Sequence, residues 1–259
     1  MKLVLFGRPV SHSRSPAIHQ AALAAVGIAG TYEARDVDEE GLAVGIAELA
    51  AGVLHGANVT MPHKRRAAIW TDRADLLVQR LGAANTLVHG PGGVLAHNTD
   101  VAGITAAAAG MAEGPVLVLG AGGAAAAALV ALGDRPMAIS ARATSQAGRL
   151  VARIGVEATV VEWDQPWAPA MVVNATPLGM HGEHLPEIRM DRATGLLDLA
   201  YGAQATPATV MARELGLPAA DGLDMLVAQA AESFRLWTGH RPPLQIMRAA
   251  AGGQSPQGA

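Results

Sequence analysis

Along this chain short apolar runs alternate with longer stretches whose apolar residues recur at helical spacing. Runs of the first kind suit buried strands, and stretches of the second kind suit helices packed against them. The first part of the chain predicts a strand over Leu3–Phe6 and a helix from Pro16 to about Val26, with Ser15 as its cap. A strand near Tyr32, a helix near Glu39–Ala51 and a strand near Val53–Val59 follow. Pro62 reads as the first residue of a helix that holds Lys64 in its first turn. Two further runs, Thr86–His89 and Val94–His97, flank Gly90-Pro91-Gly92-Gly93, which is a hairpin signal. Asp100 reads as the N-cap of a helix over Val101–Met111.

A second alternating series begins at Val116–Leu119 and is richer in Gly and Ala. Its later strands are expected near Met137–Ser140, Ala158–Val161, Met171–Asn174, Leu196–Leu199 and Pro218–Ala220. Such alternation argues for a parallel, doubly wound sheet, so the fold class is α/β. A last helix over Asp224–Thr238 carries Leu226, Val227, Ala230, Ala231, Phe234 and Trp237 on one face, and Gly239 and Pro242 end it. The tail Gly252–Ala259 reads as disordered.

Composition narrows the function more than the fold. The 259 residues suit one to two domains, and 51% are apolar, which is ample for a packed core. With 19 Lys and Arg against 22 Asp and Glu, no basic excess exists to track nucleic acid. The absence of Cys removes disulfides, thiolate metal sites and thiol nucleophiles, and the nine His show no metal-ligand spacing, so no metal is expected. Gly114–Gly133 is uncharged and long enough to cross a bilayer, but its Pro115, Gly120, Gly122, Gly123 and many alanines fit a strand, a turn and a small-residue helix better. The apolar run before Gly7 is too short for a signal peptide, so a cytoplasmic protein away from the membrane is expected.

Two groups of residues carry candidate chemistry. Leu117-Val118-Leu119-Gly120-Ala121-Gly122-Gly123-Ala124 fits G-x-G-x-x-A between a strand and a helix. Glycines there permit a tight turn and close backbone approach, and the helix start offers N–H groups to a pyrophosphate. Where an NAD site usually places a carboxylate, this chain has Ser140-Ala141-Arg142, and a guanidinium suits a 2′-phosphate. NADP is therefore preferred, with NAD as the alternative. The second group lies at the ends of apolar strands: Ser11-His12-Ser13-Arg14-Ser15-Pro16, Asn58-Val59-Thr60-Met61-Pro62-His63-Lys64, Ala84-Asn85-Thr86 and Asn98-Thr99-Asp100. Hydroxyls and amides gathered at strand ends suit a polyhydroxylated ligand carrying a carboxylate. Read locally, Lys64 is a solvated cation beside Arg65 and Arg66, and Asp100 is a cap.

These segments, with Asn174-Ala175-Thr176-Pro177-Leu178-Gly179-Met180 and Asp221-Gly222-Leu223-Asp224-Met225-Leu226-Val227-Ala228-Gln229-Ala230, closely resemble the shikimate dehydrogenase family. The resemblance implies an N-terminal α/β substrate domain, residues 1–101, completed by C-terminal helices in 224–259. Residues 102–223 would then form a Rossmann-like NADP-binding domain. It also implies reversible, NADPH-dependent reduction of the C3 ketone of 3-dehydroshikimate to shikimate, in a monomer or homodimer. Lys64 and Asp100 match the catalytic pair, and Ser13, Ser15, Thr60, Asn85, Tyr201 and Gln229 the substrate contacts. Gly120, Ala121, Gly122, Gly123, Ala124, Arg142, Thr176 and Met225 match the cofactor contacts. The family commonly has Asn-Arg-Thr where this chain has Ala141-Arg142-Ala143, so Arg142 stands without two polar neighbours. The alternatives are a paralogue acting on quinate or aminoshikimate, and a ligand-binding regulator on the same scaffold.

Overall fold

A computed structural model describes residues 1–163, 165–186, 190, 192–202 and 204–252. Its first elements are β1 (Lys2–Gly7), α1 (Ser15–Ala25), β2 (Thr31–Asp36), α2 (Glu39–Ala50), β3 (Gly56–Val59), α3 (Lys64–Trp70), β4 (Arg73–Ala74), α4 (Leu76–Leu81), β5 (Thr86–Gly90) and β6 (Gly93–His97). The strands form one mixed sheet in the order β2-β1-β3-β5-β6-β4. β1 is buried along all but its first residue, and its Val4 and Phe6 join Leu42, Ile46 and Leu49 of α2 in the core on one face. Burying each such side chain contributes about 1.5–3 kcal/mol.

The next elements are α5 (Asp100–Ala107), β7 (Val116–Leu119), α6 (Gly123–Ala131), β8 (Met137–Ser140), α7 (Thr144–Ile154), β9 (Thr159–Val161), β10 (Ala170–Asn174), β11 (Ala193–Asp198), α8 (Pro207–Glu214) and β12 (Ala219–Ala220). Here the sheet runs β12-β11-β10-β7-β8-β9, and every neighbouring pair is parallel. Buried Ala125, Ala126, Ala127 and Ala128 present α6 to its surroundings with short side chains, which suits a helix lying close on a sheet. Two helices close the chain, α9 (Gly222–Thr238) and α10 (Leu244–Ala250).

The chain divides into two units, 1–100 with 226–259, and 101–225. Trp237 shows why α9 from Leu226 onward belongs with the first sheet. Its indole Nε1 donates to Leu87 O at 3.0 Å, and a Cβ at Gly56 of β3 would lie 2.3 Å from that nitrogen. Only glycine leaves room for the ring there.

Three local expectations are corrected. α1 begins at Ser15 itself, with Arg14 as the cap residue, and the capping bond comes from Ser13, whose hydroxyl accepts from Ser15 N–H at 3.2 Å. Pro62 lies before α3 inside a turn closed by His63 N–H to Thr60 O at 2.9 Å, so the helix starts at Lys64. Asp100 is the first residue of α5, not a cap outside it, and α5 stops at Ala107 ahead of Gly110, whose φ is +84°. The strand β4 and the helices α4 and α10 went unread in the sequence, being short. The tail expected to be disordered lies, from residue 253 on, outside the described residues.

Candidate active site

Lys64 Nζ donates to Asp100 Oδ2 at 2.6 Å. The two side chains come from the first residues of α3 and α5, which follow β3 and β6, and both strands end at this edge of the sheet. Asp100 is 8% exposed at its side chain and Lys64 27%, so the carboxylate is enclosed while the ammonium reaches water or a ligand. A cation in the first turn of a helix is disfavoured by the helix dipole, and the buried carboxylate supplies the compensating charge.

Asn85 fixes the other side of Asp100. Thr99 N–H donates to Asn85 Oδ1 at 2.8 Å, and a backbone N–H can only donate, so the Asn85 amide nitrogen must face the opposite way. That nitrogen donates to Asp100 Oδ1 at 2.8 Å and to Gln229 Oε1 at 3.3 Å. Both carboxylate oxygens are thus acceptors, and Asp100 N–H is held in turn by Asn98 Oδ1 at 3.0 Å. Lys64, Asp100, Asn85 and Gln229 are therefore brought together in the first unit.

The remaining expected substrate contacts are less concentrated. Ser15 is buried at the start of α1, and Ser13 is half-buried beside it. Thr60 is half-buried after β3, with its N–H on Phe6 O at 2.8 Å. Tyr201 is half-buried after β11 and belongs to the second unit.

Beneath Asn85 lies a set of residues of which only Asn58 stood among the expected strand-end polar groups. Tyr32 O–H donates to Asn58 Oδ1 at 2.8 Å, and Asn58 Nδ2 donates to Asn85 O at 3.0 Å. Burial pushes the Tyr32 hydroxyl well above its ordinary range, so it stays protonated. His19 stacks on Tyr32 with ring centroids 4.5 Å apart. Burial lowers the His19 pKa from 6.5 to about 3, offset in smaller part by the Asn58 side chain, and no hydrogen bond of standard geometry reaches either ring nitrogen among the described residues. No spacing signal marks Tyr32 or His19, because each borrows its partners from distant segments.

In the second unit the glycine turn is made of backbone. Gly120 has φ +110°, and a Cβ there would sit 2.7 Å from Ala175 O. Gly122 caps α6 without any side-chain bond, and a Cβ at Gly122 or Gly123 would meet nothing within 4 Å. The open space before the first N–H groups of α6 fits a pyrophosphate, with Ala121 and Ala124 flanking the turn. Arg142 is exposed just past β8, where a phosphate-bearing adenosine would need a cation. Thr176 follows β10 and donates to Asn174 Oδ1 at 2.6 Å, and Met225 is half-buried in the first turn of α9.

Sequence reasoning also missed Asp198. It accepts from Asn174 Nδ2 at 2.8 Å, from Thr206 Oγ1 and from Ala200 N–H. Burial pushes its carboxyl above the usual value, opposed by the bonds from Thr206 and Asn174. These contacts tie together the segments after β10 and β11, which carry Thr176 and Tyr201.

A paired ammonium and carboxylate in one unit and a dinucleotide turn on a parallel sheet in the other define a two-unit dehydrogenase. Residues 5–87 match the shikimate dehydrogenase substrate binding domain, and residues 222–251 match the shikimate 5′-dehydrogenase C-terminal domain. A shikimate dehydrogenase (NADP(+)) of Acidiphilium cryptum (strain JF-5) is 38% identical over 92% of this chain and 90% of its own. Another from Mesorhizobium japonicum is 39% identical over 93% of this chain and 91% of its own. The crystal structure of shikimate 5-dehydrogenase from Thermus thermophilus in complex with NADP(H) and shikimate has a TM-score of 0.89, 34% identity, and coverage of 97% of this chain and 98% of that one. The chain belongs to the shikimate dehydrogenase family.

Proposed function

We propose that this protein reduces the C3 ketone of 3-dehydroshikimate to shikimate with NADPH, reversibly. The observation that carries the reading is the 2.6 Å contact between the half-open Lys64 ammonium and the enclosed Asp100 carboxylate. Lys64 has three N–H donors, and Asp100 occupies one of them. A second donates to the ketone oxygen and stabilises the negative charge that grows there during reduction. NADPH, when bound, supplies the hydride to the carbonyl carbon. Lys64 then gives a proton to the oxygen and recovers one from solvent, so one hydride and one proton complete the alcohol. Asp100 does not exchange the proton in this scheme; it orients the ammonium.

Ser13 and Ser15 receive the substrate carboxylate beside the start of α1, and Thr60, Asn85 and Gln229 its carboxylate or hydroxyls, with Tyr201 nearby. Gly120 through Ala124 hold the pyrophosphate, Arg142 the 2′-phosphate, and Thr176 and Met225 complete the cofactor contacts. Shikimate and its ketone are the partners in this reading, in a cytoplasmic enzyme acting as a monomer or homodimer. Among the described residues no helix is long and apolar enough to cross a membrane.

Steady-state rates with shikimate and with quinate, each with NADP and NAD, test the reading. Turnover is expected to be highest with shikimate and NADP, and Arg142→Ala should raise the KM for NADP about tenfold while leaving that for NAD nearly unchanged, as loss of a charge-assisted contact requires. No oxidation of shikimate with either cofactor overturns it.

A further inference from the structure

Ser233 lies one helical turn beyond Gln229 on α9, fully buried, and no substrate contact was expected of it. Its hydroxyl donates to Gln229 O at 3.0 Å, which leaves its oxygen only as an acceptor. The 2.8 Å contact with Thr86 Oγ1 then has one direction, with Thr86 as donor. Asn58 Nδ2 donates toward the same Ser233 oxygen at 3.1 Å. Thr99 Oγ1 then has Asn85 Oδ1 at 3.2 Å, beside its own N–H, with Ser233 Oγ at 3.2 Å and Gln229 Oε1 at 3.3 Å as its other acceptors. In this arrangement the Ser233 and Thr86 protons each have one acceptor, and the Asn85 amide nitrogen keeps both of its protons for Asp100 and Gln229.

Remove the Ser233 hydroxyl and the order fails at a definable place. Thr86 loses its nearest acceptor, and the next are Asn85 Oδ1 at 3.1 Å, which already accepts from Thr99 N–H, and Thr99 Oγ1 at 3.2 Å. The amide that holds Asp100 is then pulled from two sides. Networks of this kind inside a protein are sensitive to single deletions, because no water replaces the lost partner.

We infer that Ser233 is a positioning residue for the Lys64–Asp100 couple, acting through Thr86 and Asn85. The inference rests on the reading of that couple as catalytic, but its structural half does not. Lys2 and Lys64 are the two lysines of the chain, so protein labelled with 13C-lysine shows two Cε–Hε correlations, assigned with Lys2→Arg. Ser233→Ala is expected to move the Lys64 correlation and leave that of Lys2 in place. In steady-state assays it should lower kcat about tenfold, the equivalent of one lost hydrogen bond, with the KM for shikimate changed less than about twofold. Ser233→Thr keeps the hydroxyl and should restore most of kcat. Should the added methyl prevent folding, Thr86→Val removes the other half of the link at nearly constant shape and should reproduce the Ser233→Ala effects. A merely structural serine would lower the thermal midpoint while leaving kcat and the Lys64 correlation where they are, and that result overturns the inference. Wild-type protein without turnover on shikimate would refute the proposed reaction, while the lysine spectrum would still decide the link from Ser233.

Discussion

The two units build their sites by opposite means. In the first, Lys64, Asp100, Asn85 and Gln229 form a site of side chains, joined to one another by hydrogen bonds. In the second, the turn around Gly120 and Gly122 is a site of backbone, and the side chains that matter most there are the ones that are missing. The contrast follows from the chemistry asked of each. Proton delivery needs a particular group at a particular atom, whereas a pyrophosphate is held by several N–H groups that any residue supplies, provided nothing stands in the way. A side-chain site should fail in rate when altered, and a backbone site should fail in fold and in cofactor affinity.

The strongest test of that contrast is Lys64→Met. It should lower kcat about a thousandfold while the far-ultraviolet circular dichroism and thermal midpoint stay near wild type, because the lost group acts on the transition state. A variant that unfolds in proportion to its loss of rate would make Lys64 a structural ion pair.

Next in size is the acid response of the polar packing in the first unit. His19 is neutral when folded, with its pKa lowered by burial to about 3, whereas the unfolded chain takes up the proton below about 6.5. The unfolded state therefore binds more protons as pH falls through that window. Stability is full above about 6.5 and is lost toward 3, by roughly 1 kcal/mol or more for each pH unit from this group. Urea unfolding at a series of pH values should show that slope, and His19→Leu should flatten it. An equal slope in both proteins would remove His19 as its source.

The smallest effect is expected at the backbone site. Gly120→Ala forces a Cβ against Ala175 O at φ +110°, which costs about 1–3 kcal/mol of stability in the second unit. The KM for NADPH should rise and kcat at saturating cofactor should hold, as steady-state kinetics beside a thermal melt would show. A fall in kcat as large as that from Lys64→Met would erase the distinction between the two kinds of site.

Most strands were legible because a four-residue apolar run between turn residues has few other uses, and Val116–Leu119 and Met137–Ser140 lie where the pattern puts them. The glycine turn was legible for a similar reason, since its chemistry is written in consecutive residues. The capping at α1 was misplaced by two positions because Ser13 and Ser15 are both good caps, and only the backbone path decides which hydroxyl reaches an N–H. Asn58, Thr86 and Ser233 could not be read as a group at all. Ser233 stands 175 positions from Asn58 and 147 from Thr86.

What the amino-acid order determined by itself was local: which segments are extended or helical, where a glycine must replace a side chain, and which motifs relate the chain to a family. The tertiary structure alone decided which donors meet which acceptors. It joined Lys64 of α3, Asp100 of α5 and Gln229 of α9 within the first unit, and so turned a lysine that reads as a solvated cation into one held at 2.6 Å by an enclosed carboxylate. The physical reason is range. Propensity and periodicity act over a few residues, whereas a hydrogen bond acts over about 3 Å and is indifferent to how much chain separates its ends.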